Sequence, residues 1–180
     1  MKKNYLLLII LLAFYSANAQ NETESNPFEK KNDITINAIA AFNKTLNVSY
    51  ERHLNNRSSL GIYYFHVLTT DTSNDMNYSI SPYYRRYFGK KYASGWFVEG
   101  FGMLASTDGK KIYTSEDHSI YAENPDVINF ALGAGGGWKW VSKSGFLFEA
   151  NIGYGGILIN ADKTDHTIVA KFGLSAGYRF

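Results

Sequence analysis

Residues 166–180 read HTIVAKFGLSAGYRF, and this stretch decides the fold. Its side chains alternate between a bulky apolar phase and a small, polar or charged phase. The bulky phase consists of Ile168, Ala170, Phe172, Leu174, Ala176, Tyr178 and Phe180. The other phase consists of Val169, Lys171, Gly173, Ser175, Gly177 and Arg179. A period of two over this length predicts a β-strand with two unlike faces.

Seven upstream segments show the same alternation. The eight predicted strands span approximately residues 33–43, 45–54, 58–68, 77–88, 95–106, 127–141, 145–158 and 166–180. Their lengths suit a tilted strand that crosses a bilayer, which needs about 9–11 residues. The connections alternate between short turns and longer loops, as in outer-membrane barrels. Only the first loop, near residues 43–45, breaks this rule by being short.

The composition of the two faces distinguishes a membrane barrel from a soluble one. The chain has 14 Tyr, 12 Phe and 3 Trp, whereas the lumen of eight strands is only just wide enough for side chains. Within a bilayer the sheet must also close, since an open edge leaves backbone groups unpaired. We therefore predict an all-β, eight-stranded antiparallel up-and-down transmembrane β-barrel with its bulky phase facing lipid. A soluble barrel with a bulky interior is the alternative.

Two strands fit this pattern less well. Pro82 lies on the outward phase, where its missing N–H costs a hydrogen bond of the sheet, and the sequence offers no explanation. In strand 95–106, an inward Glu99 leaves Gly100 and Gly102 facing lipid, which indicates a β-bulge there.

The first 32 residues precede the predicted barrel, which spans 33–180. Residues 1–19 have a positive start, an apolar stretch and small residues at the exit, which predicts a secretory signal peptide. The apolar stretch is well short of the roughly 20 residues of a membrane-spanning helix. Residues 20–32 are polar and aperiodic, so we expect a flexible periplasmic lead-in.

Composition excludes several classes of function. Once Lys2 and Lys3 are removed with the signal peptide, the chain has 16 basic and 16 acidic residues. This balance argues against nucleic-acid binding, which needs a surplus of positive charge. The absence of cysteine excludes disulfides, thiolate metal sites and cysteine nucleophiles. No EF-hand spacing is present, and we predict no cofactor and no metal site.

Charged residues on the inward phase form the strongest candidate site. They are Glu51, Arg85, Glu99, Lys139, Glu149, Lys171 and Arg179, with Asn37 and His53 nearby in phase. Because an unpaired charge in a narrow lumen costs several kcal/mol, these three carboxylates and four cations are expected to pair. The pairing predicts a structural polar plug that fixes strand register and closes the lumen. A gate or a proton path is the functional alternative.

The loops offer a weaker candidate. Loop 107–126 contains Ser115, Asp117 and His118, and Asp165 and His166 lie in the last loop. A Ser/His/Asp set at the outer rim suits a lipid A-modifying enzyme or a surface protease, with His118 or His166 as the base. However, such residues are ordinary in solvated loops, and no nucleophile elbow is present. We therefore predict no catalytic residues.

The carboxyl-terminal pattern resembles the recognition signal of outer-membrane β-barrel proteins. Its residues are Phe172, Leu174, Tyr178 and Phe180. With eight strands and a signal peptide, the chain resembles the small barrels typified by OmpX and the OmpA membrane domain. The segments Tyr50-Glu51-Arg52, Tyr84-Arg85-Arg86-Tyr87-Phe88 and Gly95-Trp96-Phe97-Val98-Glu99-Gly100 are similar to a family of small barrels common in Bacteroidota.

This resemblance implies a place in the outer membrane of a Gram-negative cell, surrounded by its lipids. It also implies delivery by periplasmic chaperones and insertion by the barrel-assembly machinery. The expected role is non-enzymatic, either envelope-structural or surface-interacting, with an unknown extracellular partner at loops 69–76 and 107–126. A lipid A-modifying or other surface enzyme and a small pore are the alternatives.

Overall fold

The computed structural model describes residues 30–69, 75–113 and 121–180. Its strands, in chain order, are β1 (Asn32–Asn37), β2 (Thr45–Asn55), β3 (Ser58–Val67), β4 (Met76–Tyr87), β5 (Gly95–Thr107), β6 (Lys111–Tyr113), β7 (Tyr121–Glu123), β8 (Val127–Val141), β9 (Phe146–Ile159) and β10 (Ile168–Arg179). Eight of them close into an antiparallel barrel in the order β1-β10-β9-β8-β5-β4-β3-β2. The predicted fold class is confirmed.

Closure occurs between the first and last barrel strands. β1 and β10 pair from Asp33 opposite Arg179 to Asn37 opposite Ser175. Beyond that ladder, the Phe180 N–H donates to the Asn32 carbonyl at 2.8 Å, and the Asn32 N–H donates to Phe180 at 3.0 Å. The barrel therefore has no free strand edge.

The two faces of the barrel differ as the period of two predicts. Along β4, Ser79, Ser81, Tyr83, Arg85 and Tyr87 are buried, while the alternating residues are exposed. The exposed outward side chains of the barrel include Ile34, Ile62, Tyr84, Val98, Leu132, Ile152, Phe172 and Leu174. Apolar groups thus cover the outside, and polar groups fill the inside.

The lumen nevertheless contains more aromatic rings than the sequence pattern suggests. Its buried rings are Tyr63, Tyr83, Tyr87, Phe97 and Phe101. Phe97 and Phe101 fit because their register partners on the neighbouring strand β8 are Gly137 and Gly133. A Cβ atom on Gly133 would lie 2.3 Å from the Phe101 ring, and one on Gly137 would lie 2.7 Å from the Phe97 ring. Bulky residues on β3–β5 therefore face small residues on β8 and β9.

The first strand is shorter than predicted. β1 ends at Asn37 rather than residue 43, and a one-turn helix, α1 (Ala38–Phe42), follows it. The Asn37 side chain accepts a hydrogen bond from the Ile39 N–H at 3.0 Å, which caps the helix. Alanine-rich residues after this cap favour a helical turn over continued strand.

Loop 107–126 also differs from its prediction as a loop. β6 and β7 pair there as a separate two-stranded hairpin, with Lys111 opposite Glu123 and Tyr113 opposite Tyr121. The last long connection contains a 3-10 turn at Ala161–Lys163.

The expected bulge between Gly100 and Gly102 is absent, because β5 pairs continuously with β8 from Gly95 to Thr107. These glycines simply face outward. The irregularity in the β4–β5 pair lies between Met76 and Tyr78 instead.

Proline at position 82 is compensated by its neighbour. If the β4–β5 register of Ile80 opposite Leu104 is continued, Pro82 lies opposite Gly102. The Ser81 hydroxyl donates to the Gly102 carbonyl at 2.9 Å. This bond replaces the donor that proline lacks.

Residues 1–29, which contain the predicted signal peptide and most of the predicted lead-in, lie outside the described residues. Within the described ranges, no helix has the length and apolar character required to cross a membrane.

Candidate functional site: a charge network in the lumen

Arg85 is the centre of the buried polar cluster. Its Nε donates to Glu99 at 2.8 Å, and its NH1 group donates to Glu51 and Glu149, both at 2.7 Å. The NH2 group donates to Glu149 at 2.7 Å and to the Tyr63 hydroxyl. All five guanidinium donors therefore have acceptors. One cation thus joins carboxylates from β2, β5 and β9.

Strand register places three of the charge pairs directly opposite each other. Arg85 faces Glu99 across β4 and β5, and Lys139 faces Glu149 across β8 and β9. Asp33 faces Arg179 across β1 and β10. A shift by one residue in any of these strand pairs would turn a charge toward the outside.

Two lysines and a second arginine complete the cluster. The Lys139 ammonium lies 3.0 Å from Asp33, 2.8 Å from Glu51 and 3.3 Å from Glu149. Lys171 lies 2.7 Å from Glu99, and Arg179 lies 2.7 Å from Asp33. The structure thus places all seven predicted residues in one connected cluster. With Asp33, we call it the lumen charge network.

Sequence reasoning missed Asp33. It is fully buried and accepts from both Lys139 and Arg179. Its inclusion gives four carboxylates and four cations, so the network balances where the sequence had indicated an excess of one cation. The available signal was its phase, because Asp33 shares the buried face of β1 with Thr35 and Asn37.

His53 lies between two carboxylates of the network. Its Nε2 is 3.0 Å from Asp33, and its Nδ1 is 3.5 Å from Glu51. These three residues could offer ligand atoms to a metal ion, since the atoms lie within 4.8 Å of one another.

The surroundings of these carboxylates do not suit a metal. The Glu51 Oε1 atom already accepts from Ser59 and Tyr87, each at 2.6 Å. The Asp33 Oδ2 atom accepts from Lys139 and Arg179, each at 3.0 Å. Because these oxygens are occupied and two cations lie beside them, we assign no metal here.

Asn37, the other residue predicted near the network, belongs to the opposite part of β1. Its side-chain amide donates to the Phe172 carbonyl at 3.1 Å, and its oxygen caps α1. It therefore links the closing strands without touching the charges.

A turn covers the network at one end of the barrel. This short-turn end contains residues 56–57, 89–94 and 142–145. The Tyr92 and Ala93 carbonyls accept from Arg179 at 3.0 and 2.8 Å, and the Ala93 N–H donates to Asn56 at 2.9 Å. Ala93 is 0% exposed, so the turn is packed into the barrel mouth.

An apolar layer lies on the other side of the network, toward the long-loop end. The layer is formed by buried Tyr63, Tyr83, Phe101, Met103, Ala105, Ala131, Ile157 and Val169, against which Ala161 packs. Above it, the Thr164 hydroxyl donates to the Asp108 carbonyl at 3.1 Å. The network is therefore enclosed by a turn below and an apolar layer above.

The loop residues that were considered as a Ser/His/Asp set lie only partly within the described ranges. His166 lies 3.5 Å from Asp75, with both side chains exposed. His118 and Ser115 lie in 114–120, outside the described residues.

The residues of the predicted assembly signal lie along the outer face of β10 and just beyond it. Phe172, Leu174 and Phe180 are exposed, and Tyr178 is half-buried. Their role in recognition stays a prediction.

The closed barrel with an apolar exterior and a charged interior defines the eight-stranded outer-membrane type of fold. The crystal structure of the N-terminal β-barrel domain of Pseudomonas aeruginosa OprF is similar, with 14% identity, a TM-score of 0.51 and coverage of 84% of this chain and 98% of that domain. At this identity the likeness shows the fold alone.

The Yersinia pestis outer membrane protein Ail, solved in a phospholipid bilayer nanodisc, is 20% identical with a TM-score of 0.42, and the match covers 84% of this chain and 99% of Ail. No curated protein sequence matches the chain. A family model matches residues 5–180. The chain belongs to this family, which is described as "Protein of unknown function (DUF3575)".

Proposed function

We propose that this protein is a non-enzymatic outer-membrane β-barrel with an envelope-structural or surface-interaction role and a lumen plugged by charge. One observation carries the proposal: large apolar side chains cover the outside of the barrel, while eight paired charges lie inside it, seven of them buried. Water would favour the opposite arrangement, because exposed apolar surface is costly and charges prefer hydration.

The proposed orientation follows from the connections. The short-turn end lies in the periplasm, after removal of residues 1–19, and residues 20–32 lead into the barrel. The long loops face outward, where loops 69–76 and 107–126, including the β6–β7 hairpin, are available to an extracellular partner. Periplasmic chaperones and the barrel-assembly machinery deliver and insert the chain through its carboxyl-terminal pattern.

The enclosed network supports a plug over a pore. An ion entering from the short-turn end meets the Tyr92–Ala93 turn and then paired charges. An ion entering from the long loops meets the apolar layer around Phe101 and Met103. We therefore expect no continuous hydrated path through the lumen, which conduction requires.

Planar bilayer recording tests the plug directly. The refolded mature protein should insert without conductance steps, whereas a porin recorded in parallel should give them. Regular steps from the purified protein would contradict the plug and support the pore.

The exposed His166–Asp75 contact is the one feature of the described residues that favours an enzyme. Lipid A profiles from cells with and without the protein separate the two proposals. An unchanged acylation pattern supports the structural role, and a shifted pattern that His166→Ala abolishes would support the enzyme.

A further inference from the structure

The short-turn end of the barrel carries a ring of basic side chains. We call this ring the basic rim. Seven of its members are exposed and Lys30 is half-buried. It consists of Lys30, Lys31, Arg52, Arg57, Arg86, Lys90, Lys91 and Lys143.

These cations have no acidic partners within the described ranges. Ion pairs of the described residues use other cations, such as Arg85, Lys139 and Arg179. Arg52 donates to the neutral Asn32 side chain at 2.7 Å, and Lys30 donates to the Tyr178 hydroxyl at 3.3 Å. The described carboxylates of this end, Asp33 and Glu51 among them, are buried in the lumen. Among residues 30–69, 75–113 and 121–180, the rim therefore presents positive charge without paired carboxylates.

The position of the rim indicates a lipid surface as its partner. Arg52 and Arg86 lie on the outward phase of β2 and β4, the same face that carries the apolar side chains. Phe88 is two residues beyond Arg86 and is 65% exposed, and its N–H donates to Trp96, which is 69% exposed. Aromatic rings mark the boundary between acyl chains and headgroups. In the proposed membrane location, the cations beside these rings lie at the level of the lipid phosphates.

The opposite end has the reverse charge. By sequence its loops contain nine acidic residues and four lysines. The acidic residues are Asp71, Asp75, Asp108, Glu116, Asp117, Glu123, Asp126, Asp162 and Asp165, and the lysines are Lys44, Lys110, Lys111 and Lys163. At the short-turn end, the eight cations of the basic rim exceed the three acidic residues of the lead-in, Glu22, Glu24 and Glu29. An excess of positive charge is therefore found at this end and not at the other.

We propose that the basic rim binds the phosphates of anionic phospholipid headgroups in the leaflet at the short-turn end. Arg and Lys near a membrane surface attract anionic lipid, and the attraction is screened by salt. This inference rests on the proposed membrane location and adds a lipid preference to it. It also makes the barrel asymmetric in the lipids that it recruits.

The test measures which lipids stay bound. Mature wild-type protein is reconstituted in nanodiscs of equal phosphatidylcholine and phosphatidylglycerol with the same acyl chains, released in mild detergent and examined by native mass spectrometry. Two triple variants are compared with it. Arg57→Gln/Lys90→Gln/Lys91→Gln neutralises turn residues of the rim, and Lys44→Gln/Lys110→Gln/Lys163→Gln removes the same charge from the opposite end. Heat-modifiable electrophoresis confirms that each variant is folded.

The wild type and the opposite-end variant should retain phosphatidylglycerol over phosphatidylcholine. The rim variant should lose this preference by about tenfold or more, since each basic residue contributes a severalfold effect, and high salt should weaken it in all three proteins. Equal retention of both lipids by inserted wild type, or a preference that survives in the rim variant, overturns the inference and leaves the barrel assignment intact.

A soluble acidic partner is a distinct outcome. Rim-dependent binding of poly-L-glutamate without any lipid preference would show that the rim serves such a partner and would overturn the lipid proposal. A mature chain that stays soluble without detergent and enters no membrane would overturn the proposed function itself.

Discussion

At the scale of single residues, Arg85 shows why a charge can be stable inside this barrel. Burying a lone guanidinium is very costly, yet Arg85 uses every donor and contacts three carboxylates. Lys139 then joins two of these carboxylates, Glu51 and Glu149, to Asp33. Removal of Arg85 would leave four buried carboxylates with only three cations, so the charge of the network would no longer balance.

Replacement of Arg85 tests this dependence. Arg85→Ala should lower the unfolding free energy by about 3–5 kcal/mol, the range for removing one partner of a buried pair. Arg86→Ala is the matched control, since this neighbouring side chain is exposed on the outer face, and vesicles of phosphatidylcholine exclude any effect of anionic lipid on it. Urea titration in lipid vesicles measures both variants. Equal midpoints for Arg85→Ala and wild type would show that the buried charges do not depend on one another.

The glycines of β8 provide a second test at this scale. A Cβ atom on Gly135 would lie 2.5 Å from the Ile152 carbonyl oxygen, whereas one on outward Gly100 would meet nothing within 4 Å. Gly135→Ala should therefore destabilise the barrel by about 1–3 kcal/mol through overpacking.

Gly100→Ala should leave the urea midpoint of the barrel almost unchanged. Similar loss of stability in both alanine variants would mean that the lumen side of β8 is no more crowded than the outside.

Some of these residue roles were predictable and others were not. The period of two places Glu51, Arg85 and Lys139 on one face, because alternation is local. Asp33 was missed as a partner because it lies at the first position of its predicted strand, where the pattern is weakest. The fit of Phe101 against Gly133 depends on the register between the neighbouring strands β5 and β8, which the alternation within each strand does not contain.

At the scale of elements, local sequence explains the long barrel strands better than it explains the short α1 helix and the β6–β7 hairpin. The barrel strands have many alternating positions, so they were predictable from residue type. The α1 helix has five residues, too few for a period of 3.6 to become visible. The β6–β7 hairpin is polar and its strands are only three residues each, so it was predicted as a loop.

Removal of the hairpin tests whether it is independent of the barrel. The Asn124 N–H donates to the Lys110 carbonyl at 3.2 Å, so an Asn-Gly turn in place of residues 111–123 can connect them. The loss includes the bond from the Lys111 N–H to Asp165. We expect a folded barrel destabilised by at most about 2 kcal/mol, because a hydrogen bond contributes about 1 kcal/mol net.

Heat-modifiable electrophoresis and urea titration measure that outcome, and a pulldown with intact protein as control shows whether surface partners are lost. A hairpin-deleted chain that fails to fold would show that the barrel needs the hairpin for assembly.

At the scale of the whole molecule, the barrel reverses the usual distribution of side chains in a soluble protein. Charges lie at the axis, apolar groups lie outside, and both ends of the lumen are covered. This reversal was predictable because too many bulky residues compete for a narrow lumen. The closure of the two ends of the lumen was not predictable from the sequence. One end is closed by the turn at Ala93 and the other by the apolar layer, and both depend on contacts between segments that are separate in the chain.

The three native tryptophans provide the most direct measurement of this reversal. Trp96, Trp138 and Trp140 are 69%, 40% and 41% exposed, and all lie on the outer face near the short-turn end. In vesicles whose phospholipids carry bromine on the acyl chains, their fluorescence should be strongly quenched, and more by bromine close to the headgroup than by bromine at the bilayer centre. A processed chain that is monomeric without detergent, and whose tryptophan emission is unaffected by brominated lipid, would contradict the account.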